Sequence, residues 1–437
     1  DRTDDQYAVG DVIAHDLEGA WPMNRLVQGE VGSGKTLVAL RAMLQVAQSG
    51  GQSALIAPTE VLAAQHVRSI ARMLGPELAP ELMPTLLTGQ LPAAERRKAA
   101  LRAASGQSRI VVGTHALLSA STTFADLGLV VVDEEHDGSY KQEDGALYHA
   151  RDMAVLRASI EGAAVVLASA TPSLESWANA DAGKYARLDL PERFGIARLP
   201  EMRAVDLREH APEQGRWISG PLEEAVSARL AAGEQALLFL NRRGYAPLTI
   251  CRACGHQVGC DQCDARMVEH RFRARLVCHQ CGATKPIPTA CPACKVEGKM
   301  ATLGPGVERL AEEAATLWPE ARLAILSSDL ADGPGALKAR IEEIAGGGAD
   351  LVIGTQLVSK GHNFPLLTLV GVIDADLGLQ GGDLRAAEKT FQLIRQVAGR
   401  AGRAERPGLA LVQTHQPEHP ALQAILSGDD EGFWRAE

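Results

Sequence analysis

Short apolar runs alternate along the chain with longer stretches in which apolar residues recur every three or four positions. The runs at Leu26-Val27, Ser53–Ala57, Arg109–Gly113, Leu127–Asp133 and Ala164–Ser169 lack the regular polar alternation of a half-exposed strand. Such runs predict strands buried on both faces, as in a parallel sheet. Between them, Leu37–Ser49 and Ala63–Met73 carry the helical period. A second set of the same kind follows, with helices predicted at Glu223–Leu230 and Ala336–Ala345. Its predicted strands are Gln235–Leu240, Arg322–Ser327, Asp350–Gly354, Leu367–Ile373 and Leu409–Gln413. Strands alternating with helices predict parallel sheets covered on both sides, here twice over. The expected organisation is α/β: a lobe at residues 1–195, a linker at 196–220, and a second lobe at 221–437 interrupted by an insertion at 245–303.

Composition narrows the class. Of 437 residues, 46% are hydrophobic and 22% charged, which excludes a disordered or fibrous chain. No uncharged apolar run approaches the ~18 residues of a membrane span, and no secretory signal is visible, so the expected setting is cytoplasmic, with no membrane partner. A net charge of −10 argues against a surface that is basic all over, though a single basic groove still suffices to grip nucleic acid. Aromatic residues at 4% argue against a long groove of base-stacking side chains. The chain begins at Asp1 rather than Met, so it reads as a fragment.

One segment carries nucleotide chemistry. Gly29-Glu-Val-Gly-Ser-Gly-Lys-Thr36 lies between a predicted strand and a predicted helix and fits G-x-x-x-x-G-K-[ST]. Gly29, Gly32, Ser33 and Gly34 bring backbone N–H groups to phosphates, Lys35 reaches the β- and γ-phosphates, and the Thr36 hydroxyl suits Mg²⁺. Asp133-Glu134-Glu135-His136 ends the predicted strand Leu127–Val132. A carboxylate there sits beside the phosphate loop: Asp133 would hold Mg²⁺ through water, and Glu134 would deprotonate the attacking water. Far downstream, Gln396-Val-Ala-Gly-Arg-Ala-Gly-Arg403 places Arg400 and Arg403 three apart on one helix face, as candidate arginine fingers on a γ-phosphate in a cleft between the lobes. Its glycines suit close approach better than a solvated helix.

Together these segments resemble a superfamily-2 DNA helicase, which implies two RecA-like P-loop NTPase lobes. Ala57-Pro-Thr-Glu60, Gly113-Thr114-His115, Ser169-Ala-Thr171, Asn241-Arg-Arg-Gly244, Gly354-Thr355-Gln356 with Lys360-Gly-His362, and Gln396–Arg403 are similar to that family's successive motifs. Gln6 stands where such enzymes read adenine, although its context, Thr3-Asp-Asp-Gln6, departs from the usual pattern. From Asp133 onward the chain resembles the PriA family of replication-restart helicases, through Asp133-Glu-Glu-His-Asp-Gly-Ser-Tyr-Lys141, Tyr148-His-Ala-Arg-Asp152, Phe239-Leu-Asn-Arg-Arg-Gly244, the eight cysteines and Gln413-Thr-His-Gln-Pro-Glu-His419. Residues 20–132 look more like RecG helicases, through Met23–Thr36, Ala57–Glu60 and Leu87-Thr-Gly-Gln90, so a hybrid is one reading. The resemblance implies ATP and Mg²⁺ as ligands and DNA contacts from Thr59, Thr114, Tyr140, Lys141, Thr355 and Lys360. It also implies a helicase core lacking further DNA-binding domains.

All eight cysteines fall in four C-x-x-C pairs, Cys251/Cys254, Cys260/Cys263, Cys278/Cys281 and Cys291/Cys294. Eight thiolates suffice for two closed, structural Zn²⁺ sites. Nested pairing, with the first and last pairs on one metal, is favoured by the near-ribbon spacing of the inner pairs; sequential pairing and an iron–sulfur cluster are the alternatives. Residues 242–299 hold ten Lys/Arg against four Asp/Glu, and two Zn(Cys)₄ units would reduce that excess of six to two. Electrostatic grip on DNA from this insertion is therefore expected to be modest. Arg271, Arg273 and Arg275 alternate as on a strand and suit phosphates or a solvated hairpin equally.

The segment His136–Arg151, with Tyr140 and Lys141, follows directly on the acidic residues, so a loop rooted there would feel nucleotide state while stacking on single-stranded DNA. The functional expectation is an ATP-dependent 3′→5′ DNA helicase acting at stalled forks in replication restart and primosome assembly, its polarity implied by the resemblance alone. The implied partners are forked or single-stranded DNA, primosome proteins and single-stranded DNA-binding protein. A RecG-like duplex translocase that regresses forks and a zinc-dependent assembly platform with a nucleotide switch are the competing readings.

Overall fold

The computed structural model describes residues 3–437 apart from 78–79, 143–146, 192–199, 242–248, 252, 255, 257, 264–266, 271–274, 279–280, 303–306, 328–333, 360–363, 380–383 and 403–406. It divides into two compact units, Asp1–Gly195 and Ile196–Glu437.

The first unit contains β1 (Asn24–Gly29), β2 (Gln52–Ile56), β3 (Thr85–Leu87), β4 (Ile110–Gly113), β5 (Leu127–Asp133), the two-residue strands β6 (Lys141–Gln142) and β7 (Tyr148–His149), β8 (Ala164–Ser169) and β9 (Ala186–Leu190). Seven of them form one sheet in the order β3-β4-β2-β5-β8-β1-β9. Every pairing within it is parallel, whereas β6 and β7 pair antiparallel. The uninterrupted apolar runs follow from burial on both faces. Leu129 and Val131 of β5 join one core with Val38, Met43 and Ile70, while Val130 and Val132 join the other with Ala154 and Ala158. A polar residue at either set of positions would sit unsatisfied in a core.

In the second unit, β10 (Glu201–Asp206), β11 (Gln235–Phe239), β12 (Thr249–Cys251), β13 (Val268–His270), β14 (Arg275–Val277), β15 (Thr284–Pro286), β16 (Met300–Thr302), β17 (Leu323–Leu326), β18 (Leu351–Gly354), β19 (Leu367–Val372) and β20 (Leu409–Thr414) follow in order. Six form a parallel sheet, β10-β20-β19-β11-β18-β17. The core includes Leu222, Leu238, Leu310, Ile353 and Leu369. The stretch expected as a linker, 196–220, departs from that expectation: β10 is a full edge strand paired in register with β20, Glu201 opposite Leu409. Alternating exposed Glu201 and Arg203 conceal it in sequence, because an edge strand with one wet side need not be apolar throughout.

The insertion begins and ends on an antiparallel pair, β12 with β16, which brings its two ends together. Within it β13, β14 and β15 form a three-stranded antiparallel sheet over a small core of Val258, Met267, Leu276 and Cys278. No described helix is long and apolar enough to cross a membrane.

Candidate functional site

The phosphate-loop segment forms the turn between β1 and the helix Lys35–Gln48. Gly32 and Gly34 have φ of +91° and +89°, where L side chains are strained. Gly34 has a second constraint, since a Cβ there would lie 2.3 Å from the Gln6 amide nitrogen. Gly29 is equally confined: its Cβ would meet the Ser33 hydroxyl at 2.5 Å and Leu190 at 2.8 Å. The turn thus presents backbone N–H groups at a helix N-terminus, the arrangement that suits a phosphate. Lys35 opens that helix, and its ammonium donates to the carbonyls of Gly29 (2.6 Å) and Glu30 (3.2 Å). Thr36 is the next residue of the helix.

Gln6 lies against the phosphate loop. It is buried, its amide nitrogen donates to the Ser33 carbonyl (2.8 Å), and its amide oxygen accepts from the Thr3 N–H (3.1 Å) as half of a capping box. One bond at each end braces the loop and caps the helix Asp4–Leu17, which leaves the second amide hydrogen and the second oxygen lone pair for a further partner.

Asp133 ends β5, two strands from β1 in the sheet, and its carboxylate meets His66 Nε2 at 2.7 Å. Burial alone would raise the Asp133 carboxyl, but the His66 bond and the charge of Lys35 hold it below its ordinary value. Burial alone would lower His66, and the same bond holds that imidazole above its ordinary value. Glu134 has φ of +47°, at a cost of roughly 1–2 kcal/mol for a non-glycine residue. One of its carboxylate oxygens is buried without a hydrogen bond and lies 3.7 Å from His136 Nδ1.

The third acid is structural. Glu135 is fully buried and accepts from the Ser173 N–H (2.7 Å) and hydroxyl (2.9 Å), the Ser176 hydroxyl (2.8 Å) and Arg151 Nη1 (3.2 Å). His136 then meets the Ser169 hydroxyl at 2.7 Å, and that hydroxyl also accepts from the Thr171 N–H (2.9 Å). The acidic motif is thereby wired to Ser169-Ala-Thr171. Sequence reasoning missed His66 and the pairing of Glu135 with Arg151, because no local pattern marks a partner that folding supplies from elsewhere in the chain.

Tyr140 corrects another expectation. Only 2% exposed, it belongs to the core beneath β5, and its hydroxyl donates to the carbonyls of Asp133 (2.6 Å) and Ile56 (3.0 Å). Burial pushes its phenol well above the usual value. A ring so enclosed cannot stack on DNA. Lys141 beside it is exposed. Thr59 caps the helix Glu60–Leu74, its hydroxyl accepting from the Leu62 N–H (3.3 Å). Thr114 and Thr355 are buried at the ends of β4 and β18.

In the second unit Arg400 is buried and donates to the Ser359 carbonyl (2.5 Å). Gln396 is buried in the helix Ala386–Ala398. Arg403, Lys360, Arg271, Arg273 and residues 242–244 lie outside the described residues. The buried pair Asp374 and Asp376 follows β19. Asp376 accepts from the Thr414 hydroxyl (2.5 Å) and the His415 N–H (2.7 Å). Burial, reinforced by Asp376, pushes the Asp374 carboxyl up to about 7.

The cysteines gather in two groups, Cys251, Cys254, Cys291 and Cys294, and Cys260, Cys263, Cys278 and Cys281, the nested arrangement. Sulfur–sulfur separations are 3.6 Å (Cys251–Cys294), 3.7 Å (Cys254–Cys291), 3.5 Å (Cys260–Cys281) and 3.5 Å (Cys263–Cys278). Four sulfurs ~2.3 Å from a tetrahedral zinc lie ~3.8 Å apart, so both groups fit that ion. The Gln262 and Cys294 N–H groups donate to Cys260 and Cys291 sulfurs, orienting the ligands from a second layer.

Comparison with known proteins bears on the whole arrangement. The DEAD/DEAH box helicase family model matches residues 5–179, and the PriA DNA helicase Cys-rich region (CRR) domain model matches residues 260–286. Replication restart protein PriA of Rickettsia felis is 39% identical over 412 residues, covering 94% of this chain and 62% of that protein. The Bacillus subtilis protein of the same name is 38% identical over 436 residues (100% and 53%), and that of Haemophilus influenzae 38% over 426 (98% and 56%). Among solved structures, RecG bound to a three-way DNA junction superposes with a TM-score of 0.61 at 20% identity, covering 100% of this chain and 46% of that one. MrfA bound to DNA superposes at 0.58 and 14%, covering 99% and 51%. At such identities these two show the fold alone.

Two parallel α/β units matching helicase RecA-like lobes, a phosphate loop in the first and two cysteine clusters able to hold zinc in the second, are the arrangement these matches share. Over nearly its whole length the chain is similar to these PriA proteins, and that likeness runs through residues 20–132, whose motifs resemble RecG, as well as through the rest. It spans between half and two thirds of the length of these relatives.

Proposed function

We propose that this chain is the motor core of a replication-restart helicase, an ATP-dependent 3′→5′ DNA helicase acting at stalled forks. The observation that carries the reading is the convergence in one unit of a glycine turn opening a helix at Lys35 and two carboxylates, Asp133 and Glu134, at the end of β5. Lys35 and the turn's N–H groups would hold the phosphates of ATP. Thr36 and Asp133 would hold Mg²⁺, which neutralises charge developing on the phosphates. Glu134, with its unbonded buried oxygen, would take a proton from the attacking water. Gln396, Arg400 and Arg403 are the second unit's candidates for contact with phosphate. DNA phosphates would meet Thr59, Lys141 and Lys360, with Thr114 and Thr355, buried at the ends of β4 and β18, behind those contacts, and the zinc module would supply unwinding and primosome-protein contacts. Single-stranded DNA-binding protein belongs among the partners by family likeness.

DNA-stimulated ATP turnover tests the reading, together with displacement of strands from partial duplexes of either polarity. Lys35→Ala should abolish turnover, and Glu134→Gln should reduce it to a small residual rate while nucleotide still binds. Turnover surviving in Lys35→Ala, or displacement with the opposite polarity, would count against it.

A further inference from the structure

Glu134 is held in its left-handed conformation from both sides. Before it, the Asp133 carbonyl accepts from the Tyr140 hydroxyl (2.6 Å), which also reaches the Ile56 carbonyl (3.0 Å) and so bridges the ends of neighbouring strands β5 and β2. After it, the Glu135 N–H donates to the Ala168 carbonyl (3.1 Å), tying the backbone to β8. The Glu135 carboxylate is anchored by Arg151, Ser173 and Ser176. The turn closes on itself where the Asp137 N–H donates to the Glu134 carbonyl (2.8 Å). A residue at φ of +47° persists only when its surroundings over-determine it, and here they do.

We propose that Tyr140 and the Glu135–Arg151 pair are positioning residues that hold Glu134 in the backbone conformation its chemistry requires. This rests on the reading of Glu134 as the residue that activates water. The geometry favours it over simple core packing in one respect. The phenol bonds to the backbone of Asp133 itself, and the buried ion pair anchors the very next residue, so both restraints act on the peptide units flanking Glu134. Neither group touches nucleotide or water in this scheme. Their effect passes wholly through Glu134.

The experiment measures steady-state ATP turnover with saturating DNA, nucleotide affinity by a fluorescent ATP analogue, and thermal unfolding. The variants are Tyr140→Phe, Arg151→Lys, Glu134→Gln, Tyr140→Phe/Glu134→Gln and Lys35→Ala. Tyr140→Phe keeps the ring and removes only the hydroxyl; Arg151→Lys keeps the charge and removes the fork. Each should lower kcat by about tenfold or more, with KM for ATP and analogue affinity within about twofold, because general-base positioning governs the chemical step rather than binding. In the Glu134→Gln background, Tyr140→Phe should cause no additional loss of residual turnover, since the two changes remove the same contribution. A wild-type kcat in folded Tyr140→Phe and Arg151→Lys overturns the proposal, as does an undiminished Tyr140→Phe effect in the Glu134→Gln background. Full turnover in Lys35→Ala would instead overturn the nucleotide-site reading, and this proposal with it.

Discussion

The Tyr140 hydroxyl donates across 2.6 Å to the carbonyl oxygen of Asp133, seven residues earlier in the chain. A side chain that looks in sequence like a surface aromatic beside a lysine is therefore a pin in the core at the end of the strand that carries both acidic residues. Tyr140→Ala should destabilise the protein by about 3–5 kcal/mol, the cost of emptying a buried aromatic site, while Tyr140→Phe should cost only about 1 kcal/mol for its lost hydrogen bond. Urea unfolding of the two variants checks this. Equal stabilities would mean that the ring is not packed as described.

The two cysteine groups predict two structural zinc ions per chain. Elemental analysis should find them. A strong chelator should abolish amide-exchange protection in β12–β16 while leaving that of β5 intact, because the insertion's core is too small to fold without metal. Protection in β13–β15 that outlasts metal loss would contradict this.

Lys295 and Gly282 occupy equivalent places, each directly after the last cysteine of its pair, with φ of +61° and +77°. Glycine enters that region without strain and lysine does not. Lys295→Gly should therefore stabilise the outer cysteine group by about 0.5–1 kcal/mol, offset slightly by loss of the bond from its ammonium to the Pro292 carbonyl. Zinc release to a chelator should be slower in the variant, and a faster release would refute the assignment.

Asp374 makes stability depend on pH. Its carboxyl is pushed up to about 7 by burial and by Asp376, above the ~3.9 of an unfolded aspartate. Between those two values the folded state holds a proton that the unfolded state has released, so this residue makes stability fall as pH rises from about 4 to about 7, and adds no further fall beyond. Asp374→Asn can still accept from the Asp376 and Leu377 N–H groups and carries no charge. The variant should match the wild type near pH 4 and exceed it above pH 7 by on the order of 4 kcal/mol. Chemical unfolding at several pH values tests this, and a gap independent of pH would rule out Asp374 as its source.

Much of the architecture was legible in the residues because β5, β8 and β19 are buried on both faces and read as unbroken apolar runs. The phosphate loop and the cysteine pairs were legible for a related reason: their chemistry depends on short, fixed spacings that the chain writes locally. The edge strand β10 was not, since only Val205 of its six residues is buried. Gln6 was placed beside the phosphate loop by its position, but its engagement with Thr3 and Ser33 depends on how the first helix lies against that loop.

What the sequence determined by itself was the set of parts: two α/β units, a phosphate-binding turn, a carboxylate pair at a strand end, and eight thiolates. The tertiary structure decided which parts meet. Tyr140 is buried because β2, 84 residues away, supplies the Ile56 carbonyl, and Glu135 is inert because Arg151, Ser173 and Ser176 surround it. The cysteines nest because β12 and β16 close the insertion and set Cys251 beside Cys294. Spacing along a chain sets local geometry, whereas burial and partnership are properties of surfaces that only folding brings into contact.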